Sequence, residues 1–357
     1  MSFDHSIVLY DTYYLYGSFE FTFNTRRLDM FAFIARRILF MIPTLFAITV
    51  ISFAIIEAPP GDFMDAYVAR ITAQQQTIDP SEVEALRLRY GLGQPGYVRY
   101  FRWLGSILQG DLGRSLEWNQ PVAKLIADRL PWTLLISSLS FVLVYVISIP
   151  IGLYSATNQY SLWDYLFSLI GFIGLAIPNF LLALIILWLY FLATGNVAVG
   201  LFSAEYQLAP WSLGRVLDLL SHIWLPAVIV ALAGTAGLIR VVRANLLDEL
   251  RKSYVMVARA KGLSESKVLY KYPLRTAMNP VASTIGWALP GLVNGELLTS
   301  LVLGLPTVAP LFVGALMSQD MFLAGSIVLI LSALTLIGTL ISDILLAWLD
   351  PRIREAI

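Results

Sequence analysis

One acidic side chain lies inside a long apolar stretch near the C-terminal end of the chain. Glu296 belongs to the apolar segment 281–305, and Asn294 shortly precedes it. A carboxylate at membrane depth is costly, so it normally faces a water-filled path or a polar partner. Two interpretations follow. Glu296 and Asn294 line a translocation path, or Glu296 is a structural tie, hydrogen-bonded to Asn294 or to another helix.

The sequence offers little material for catalysis. Hydrolysis inside a membrane needs a Ser/His set, paired aspartates or a His-rich metal site. The chain has no cysteine, and its two histidines, His5 and His222, lie far apart. His222 is expected to be a structural hydrogen-bonding residue. No Walker A loop is present, so ATP hydrolysis by the chain itself is not expected. We predict no catalytic residue, no metal and no cofactor.

The composition indicates a membrane protein. Hydrophobic residues make up 58% of the chain and charged residues 13%, which is about half the charged share of an ordinary soluble domain. The formal net charge is zero, so no overall field attracts nucleic acid, and none is expected as a partner. Apolar runs of suitable length predict six membrane-spanning helices. They cover about 38–56, 134–156, 165–192, 223–239, 281–305 and 321–349.

Basic residues set the predicted orientation. Arg36 and Arg37 precede the first span and place its start in the cytoplasm, so six spans leave both termini there. Residues 1–37 are interpreted as a cytoplasmic extension and 38–357 as the membrane domain. Segment 57–132 then forms a long outer loop.

Local signals divide that outer loop. Helices are predicted at 80–91 and, with an amphipathic pattern suited to the membrane surface, at 97–104. The sequence GDLGRS at 110–115 predicts a tight turn whose Asp and Arg tie the loop to its neighbours. In the third span, 165–192, Pro178 predicts a kink in one continuous helix, with two re-entrant halves as the alternative.

Segment 240–280 is the most basic part of the chain. A basic segment between spans stays in the cytoplasm. Gly262 suits the left-handed position that ends a helix, and Ser264 can cap a second helix. The apolar face of this helix pair is predicted to come from Leu246, Leu250, Tyr254 and Val257, followed by Val268, Leu269 and Tyr272.

An apolar face surrounded by cations fits the docking of a soluble protein. The alternative is a loop that only anchors in anionic lipid headgroups. Attraction to lipid does not need a glycine at a fixed place, and the pattern therefore favours docking.

The run YVMVARAKGL at 254–263, followed by Leu274-Arg275 and Pro280, resembles the cytoplasmic EAA loop of binding-protein-dependent ABC importer permeases. Its ARAKGL form is similar to the dipeptide and oligopeptide branch. In that family the short helix of the loop sits in a cleft of the ATPase subunit and couples ATP hydrolysis to the transmembrane change. The resemblance implies this coupling role for Ala258, Arg259, Ala260, Lys261, Gly262, Leu263, Val268, Leu269 and Tyr272.

The resemblance covers nearly the whole chain after Arg36. It implies an all-α integral membrane protein with the type I ABC importer permease fold, in which 38–357 is the permease domain and 240–280 carries a cytoplasmic coupling helix. The implied partners are a second homologous permease in a heterodimer, two ATP-binding cassette subunits, a solute-binding protein and the lipid bilayer. The implied location is the bacterial inner membrane, and the implied solute is a peptide, an oligosaccharide, an opine or a related compound.

An ion-coupled secondary transporter is the alternative function. Such a transporter needs a cluster of intramembrane carboxylates and usually an internal repeat. The sequence has one deep carboxylate, that of Glu296, and no convincing repeat.

Overall fold

The computed structural model describes residues 6–58, 63–73, 80–90, 93–197 and 199–349. Over these residues the chain consists of α-helices joined by turns and loops, which confirms the all-α prediction for the described part. The helices are α1 Ser6–Glu57, α2 Phe63–Ala73, α3 Pro80–Tyr90, α4 Gly96–Leu108, α5 Val122–Thr157, α6 Leu162–Ala176, α7 Asn179–Thr194, α8 Leu213–Leu250, α9 Ser253–Ala260, α10 Glu265–Lys271, α11 Pro273–Val302, α12 Val308–Met317 and α13 Met321–Leu349.

Several of these helices are long and apolar enough to cross a membrane. In the described residues they are Phe31–Glu57 of α1, α5, α8 and Met321–Ile344 of α13. The pair α6–α7 adds a fifth crossing if it is counted as one span. Helix α11 contains 30 residues, but most side chains of its middle part, 286–295, lie outside the described residues. The chain is therefore a multi-pass helical protein.

Helix α1 is longer than the first predicted span. It runs for 52 residues without a break. From Ser6 onwards, the predicted extension 1–37 is therefore helical and continuous with the span 38–56.

Helices α5 and α8 pack side by side and run in the same direction. The Ser140 hydroxyl donates to the Ala227 carbonyl oxygen at 3.0 Å, and the Ser148 hydroxyl donates to the Thr235 carbonyl oxygen at 3.1 Å. The contact position advances equally along both helices, as parallel packing requires. Small residues and hydroxyl-to-carbonyl bonds hold helices together where lipid provides no hydrophobic driving force between them.

The third predicted span is broken, so the prediction of one kinked helix is wrong for the described structure. Helix α6 ends at Ala176, α7 begins at Asn179, and the two axes differ by 107°. Ile177 has the extended conformation, φ −94° and ψ 121°, which a residue before proline prefers. Because Pro178 also lacks an N–H, it cannot join the hydrogen bonding of α6.

Ion pairs and hydrogen bonds mark the two ends of the helical bundle. At one end Arg37 pairs with Asp343 at 3.2 Å, and Arg243 pairs with Asp164 at 2.9 Å. At the other end Arg99 pairs with Glu57 at 2.7 Å. Around that second end, a cluster of buried apolar residues joins α1, α4, α5, α12 and α13.

Candidate coupling loop and solute path

The segment after α8 folds into a compact unit, residues 251–272, which we call the knob. It contains α9 and α10, with Gly262 between them at φ +75°. This conformation is left-handed, as predicted, and a Cβ added to Gly262 would have no heavy atom within 4 Å. Ser264 occupies the N-cap position of α10, but its side chain makes no capping hydrogen bond.

The knob has a small apolar core of its own. Val255 and Val268 are fully buried, Ala258 is nearly so, and Leu263 and Tyr272 pack against them. Val268 and Tyr272 therefore face the interior of the knob, and their part in coupling to the ATPase stays a prediction. Two helices this short must bury their apolar sides against each other, because neither is stable alone.

The base of the knob rests on longer helices. Leu246 and Leu250 belong to α8, not to a separate short helix as predicted, because α8 continues to Leu250. Leu269 of α10 packs into a cluster with Leu246, Ala156 of α5 and Ala277 of α11. Leu269 consequently attaches the knob to α5, α8 and α11, and it does not form a free surface.

Other apolar side chains of the knob face outward. Met256 is 60% exposed and Val257 is 54% exposed on α9, and Tyr270 is 59% exposed on α10. Tyr254 is 37% exposed and donates a hydrogen bond to Glu249 at the end of α8. Burial, and then the bond to Glu249, raise the pKa of the Tyr254 phenol. Sequence periodicity identified Val257 but missed Met256 and Tyr270.

The polar residues of the predicted coupling set lie on the surface of the knob. Arg259 pairs with Glu265 at 2.9 Å, which bridges the turn at Gly262. Ala260 and Lys261 are exposed beside it. This turn therefore presents small and basic groups outward.

Helix α8 is also linked to the short turn before α6. The Arg243 guanidinium donates two hydrogen bonds, at 2.9 and 3.1 Å, to the Asp164 carboxylate. The Asp164 side chain is 5% exposed. Sequence reasoning did not find this pair, because the two residues lie far apart along the chain.

Glu296 is buried between two serines. Its side chain is 1% exposed, and its oxygens accept hydrogen bonds from Ser137 of α5 at 3.1 Å and from Ser300 of α11 at 3.0 Å. These contacts support the interpretation of Glu296 as a structural tie between helices. The Asn294 side chain lies outside the described residues, and the role of Asn294 in a solute path stays a prediction.

At the opposite end from the knob, the turn predicted at 110–115 closes on a single carboxylate. Asp320, which is fully buried, accepts hydrogen bonds from the Ser115 hydroxyl at 2.6 Å and the Leu116 N–H at 2.8 Å. It also accepts from the N–H groups of Glu117 and Leu323. We call residues 110–121 together with Asp320 the clasp. The turn is therefore tied to a distant part of the chain, but through Ser115 and backbone N–H groups rather than, as predicted, through the Asp and Arg of the motif.

Two glycines and two local hydrogen bonds set the shape of the clasp. Gly110 and Gly113 have φ of +83° and +79°. The Gly113 N–H donates to the Asp111 carboxylate at 2.8 Å, and the Arg114 guanidinium donates to the Asn119 side chain at 2.8 Å. Asp111 and Arg114 therefore stabilise the turn from within, and the predicted contact of these two side chains with neighbouring segments is not what holds it.

A cavity of about 1140 Å³ lies near the clasp end of α5, α7 and α8, and we call it the arginine cavity. Arg129, Arg215 and His222 contribute to its lining. The His222 Nδ1 donates to the Asp218 carbonyl oxygen at 2.7 Å. His222 is thus a structural hydrogen-bonding residue, as predicted. In the described part of the chain, no group of three or more His, Cys, Asp or Glu side chains could hold a metal ion.

Comparison of the sequence with known protein families identifies the family of this chain. A family model described as "Binding-protein-dependent transport system inner membrane component" matches residues 148–355, and a model of the N-terminal part of such components matches residues 30–140. The chain belongs to this family. It is therefore a multi-pass inner-membrane permease subunit of an ABC importer, which operates with ATPase and solute-binding partners.

Curated relatives align along most of the chain. The oligopeptide transport system permease protein AppB of Bacillus subtilis is 38% identical, over 91% of this chain and 100% of the relative. The oligopeptide transport system permease protein OppB of Haemophilus influenzae is 29% identical, with the same coverage of both. The di/tripeptide transport system permease protein DppB of Pseudomonas aeruginosa is 30% identical, over 91% of this chain and 99% of the relative.

Proposed function

We propose that this chain translocates peptides as one of two homologous permeases in a type I ABC importer. Its relatives AppB, OppB and DppB are named for oligopeptide and di/tripeptide transport. The coverage of these relatives is nearly complete, which supports a shared solute class.

The proposed topology has six spans with both termini in the cytoplasm. Arg36 and Arg37 before the first span and the basic segment 240–280 support this orientation. The knob end of the bundle is then cytoplasmic, and the clasp end faces outward.

Two introduced cysteines test the topology, because the chain contains no cysteine of its own. Ser81→Cys lies on α3 and Ser266→Cys on α10, both at exposed positions. In intact cells a membrane-impermeant thiol reagent is expected to label Ser81→Cys, whereas Ser266→Cys requires lysis. The opposite pattern would reverse the orientation.

The knob is proposed to dock into the ATPase subunit and to transmit its movement. The observation that carries this proposal is the exposure of Met256 and Val257 on a knob whose own core is already complete. Large apolar side chains beside basic groups on a folded surface suit a protein partner. Because Leu269 attaches the knob to α5, α8 and α11, force applied to the knob reaches these helices.

A charge placed on this surface tests the coupling role. Val257→Asp is expected to lower ATPase co-purification and ATP-driven peptide uptake by about tenfold, since a carboxylate would be buried at an apolar contact. Membrane abundance of the chain should stay unchanged. The matched control is Ser266→Asp, which adds the same charge to an exposed polar position of the knob. Normal uptake by Val257→Asp would remove the knob from the coupling role.

A second, homologous permease is proposed to complete the path. Glu296, the deep carboxylate, is enclosed within this chain by Ser137 and Ser300, so it does not by itself form an open polar route. Purification of the importer through a tag on this chain should recover a second permease in equal amount. Recovery of this chain alone as a homodimer would contradict the heterodimer.

A further inference from the structure

The arginine cavity has a charge pattern that the permease role alone does not explain. Its lining includes Arg129 and Arg215, and no described Asp or Glu residue is part of that lining. Most of the other lining residues are apolar or aromatic. Such a cavity favours a ligand that carries a negative charge.

Arg215 already has partners in one wall of the cavity. Its guanidinium lies 4.8 Å from the ring centroid of Phe202 and 4.6 Å from that of Trp211. It also donates hydrogen bonds to the backbone oxygens of Ala209 and Gln207. These contacts join residues 202–215 into one wall of the cavity.

That wall continues onto α5 through stacked aromatic rings. The Trp132 ring centroid lies 5.4 Å from that of Phe202 and 6.2 Å from that of Trp211. The faces of such rings attract apolar groups of many shapes. The wall therefore offers contact area without selecting one side chain.

Arg129 is the cation that remains available. It lies on α5, one turn before Trp132, and its side chain is exposed. Among the residues that the structure describes, it has neither a hydrogen-bond partner nor an acidic partner. An arginine fork binds a carboxylate through two parallel hydrogen bonds, and it binds more strongly beside low-dielectric walls.

We propose that the arginine cavity is a binding site for the C-terminal end of a peptide, with Arg129 binding its terminal carboxylate. This inference rests on the proposed function, in which the solute is a peptide. Peptides of every sequence share their termini and backbone, so a path that accepts varied side chains can recognise only these groups. The cavity slightly exceeds the roughly 300–1,000 Å³ of drug-sized pockets, which suits a short extended chain.

The test uses protection of a cysteine in the assembled importer. Ala204 lines the cavity and is exposed, and Ala204→Cys provides the chain's single thiol. Modification by a small thiol reagent is measured with increasing tetra-alanine, with tetra-alanine amide, and with the amide of a tetra-peptide that carries one glutamate. The free acid is expected to protect at about tenfold lower concentration than either amide, as for a charge-assisted hydrogen bond.

Variants at one helix identify the residue responsible. Arg129→Gln should remove the difference between acid and amide, and Arg129→Lys should retain most of it. The matched control Lys124→Gln removes an equal charge from an exposed position of α5 outside the cavity lining, and it should leave the difference intact.

Several results would overturn the proposal. They are equal protection by acid and amide, protection by the glutamate-containing amide at the level of the free acid, and an Ala204→Cys thiol that is covered by the second permease. ATP-driven uptake of tetra-alanine is measured on the same importer. Uptake without acid-dependent protection would reject the cavity site and leave the proposed peptide transport standing, whereas absence of uptake would count against the transport proposal itself.

Discussion

The clasp and the knob lie at opposite ends of the bundle, and each contains a turn with a glycine in the left-handed conformation. Gly113 in the clasp has φ +79°, and Gly262 in the knob has φ +75°. Their surroundings differ. A Cβ on Gly113 would lie 3.0 Å from the Phe322 ring, whereas a Cβ on Gly262 would meet nothing within 4 Å.

The two units also use different interactions. The clasp is held by the buried carboxylate of Asp320, which accepts four hydrogen bonds. The knob is held by the packing of Val255, Ala258 and Val268, and it leaves large apolar side chains in contact with solvent. A buried polar hub fixes one geometry because each unmade bond is costly. An apolar core with an open surface keeps its shape and still offers a face to a partner.

The largest expected effect comes from removing the hub of the clasp. Asp320→Ala leaves the Ser115 hydroxyl and three N–H groups without their acceptor, which should cost about 3 kcal/mol or more. We expect a large fall in the thermal midpoint of the purified importer and in membrane abundance. The control is Asp111→Ala, whose exposed carboxylate accepts one bond, from Gly113, and which should cost about 1 kcal/mol. Equal losses for both variants would mean that Asp320 is not the hub.

The link between α8 and the turn before α6 should come next in size. Arg243→Gln leaves the buried Asp164 carboxylate without its cation, and because Arg243 is partly exposed we expect a cost of about 2 kcal/mol. The double variant Arg243→Gln, Asp164→Asn should recover part of this loss, since no unpaired charge remains. Limited proteolysis of the turn 157–161 measures the effect. A double variant that is less stable to proteolysis than Arg243→Gln alone would contradict this interpretation.

Alanine substitutions at Gly262 and Gly113 measure how neighbouring atoms change the cost of a side chain at a similar φ. Gly262→Ala should cost about 1 kcal/mol, because only the left-handed conformation is strained. Gly113→Ala carries the same strain and also forces Phe322 to move, so its cost should be larger by about 1 kcal/mol. The difference between the two thermal midpoints tests the comparison directly. Equal midpoints would show that Phe322 yields without cost.

The smallest effect is expected at the ion pair on the surface of the knob. Arg259→Gln removes the pair with Glu265, in which both side chains are substantially exposed, 45% and 73%. Exposed pairs contribute about 0–1 kcal/mol. The thermal midpoint should barely change at 0.15 M salt. A large shift would indicate that this pair, rather than the apolar core, maintains the knob.

Local sequence patterns predicted the features that depend on neighbouring residues. The run at 254–263, the left-handed Gly262 and the turn at 110–115 each involve contacts within a few positions. Apolar runs likewise predicted a multi-pass helical protein, because span length depends only on bilayer thickness.

Patterns of periodicity were less successful where two elements share an apolar face. The spacing of Val268 and Leu269 predicts an outward apolar face. In the structure Val268 packs in the core of the knob and Leu269 packs at its base. Periodicity shows which side of a helix is apolar and does not show what covers it. The exposed Met256 and Tyr270 were missed for the same reason.

The sequence by itself determined the class of protein, its multi-pass helical character and the turn at Gly262, because composition, span length and backbone preference are local properties. The tertiary structure alone decided that Asp320 is the hub of the clasp, that Asp164 pairs with Arg243, and that Glu296 is enclosed by serines. These contacts join residues separated by long stretches of chain. Their partners are set by how the helices pack, and no spacing in the sequence encodes that arrangement.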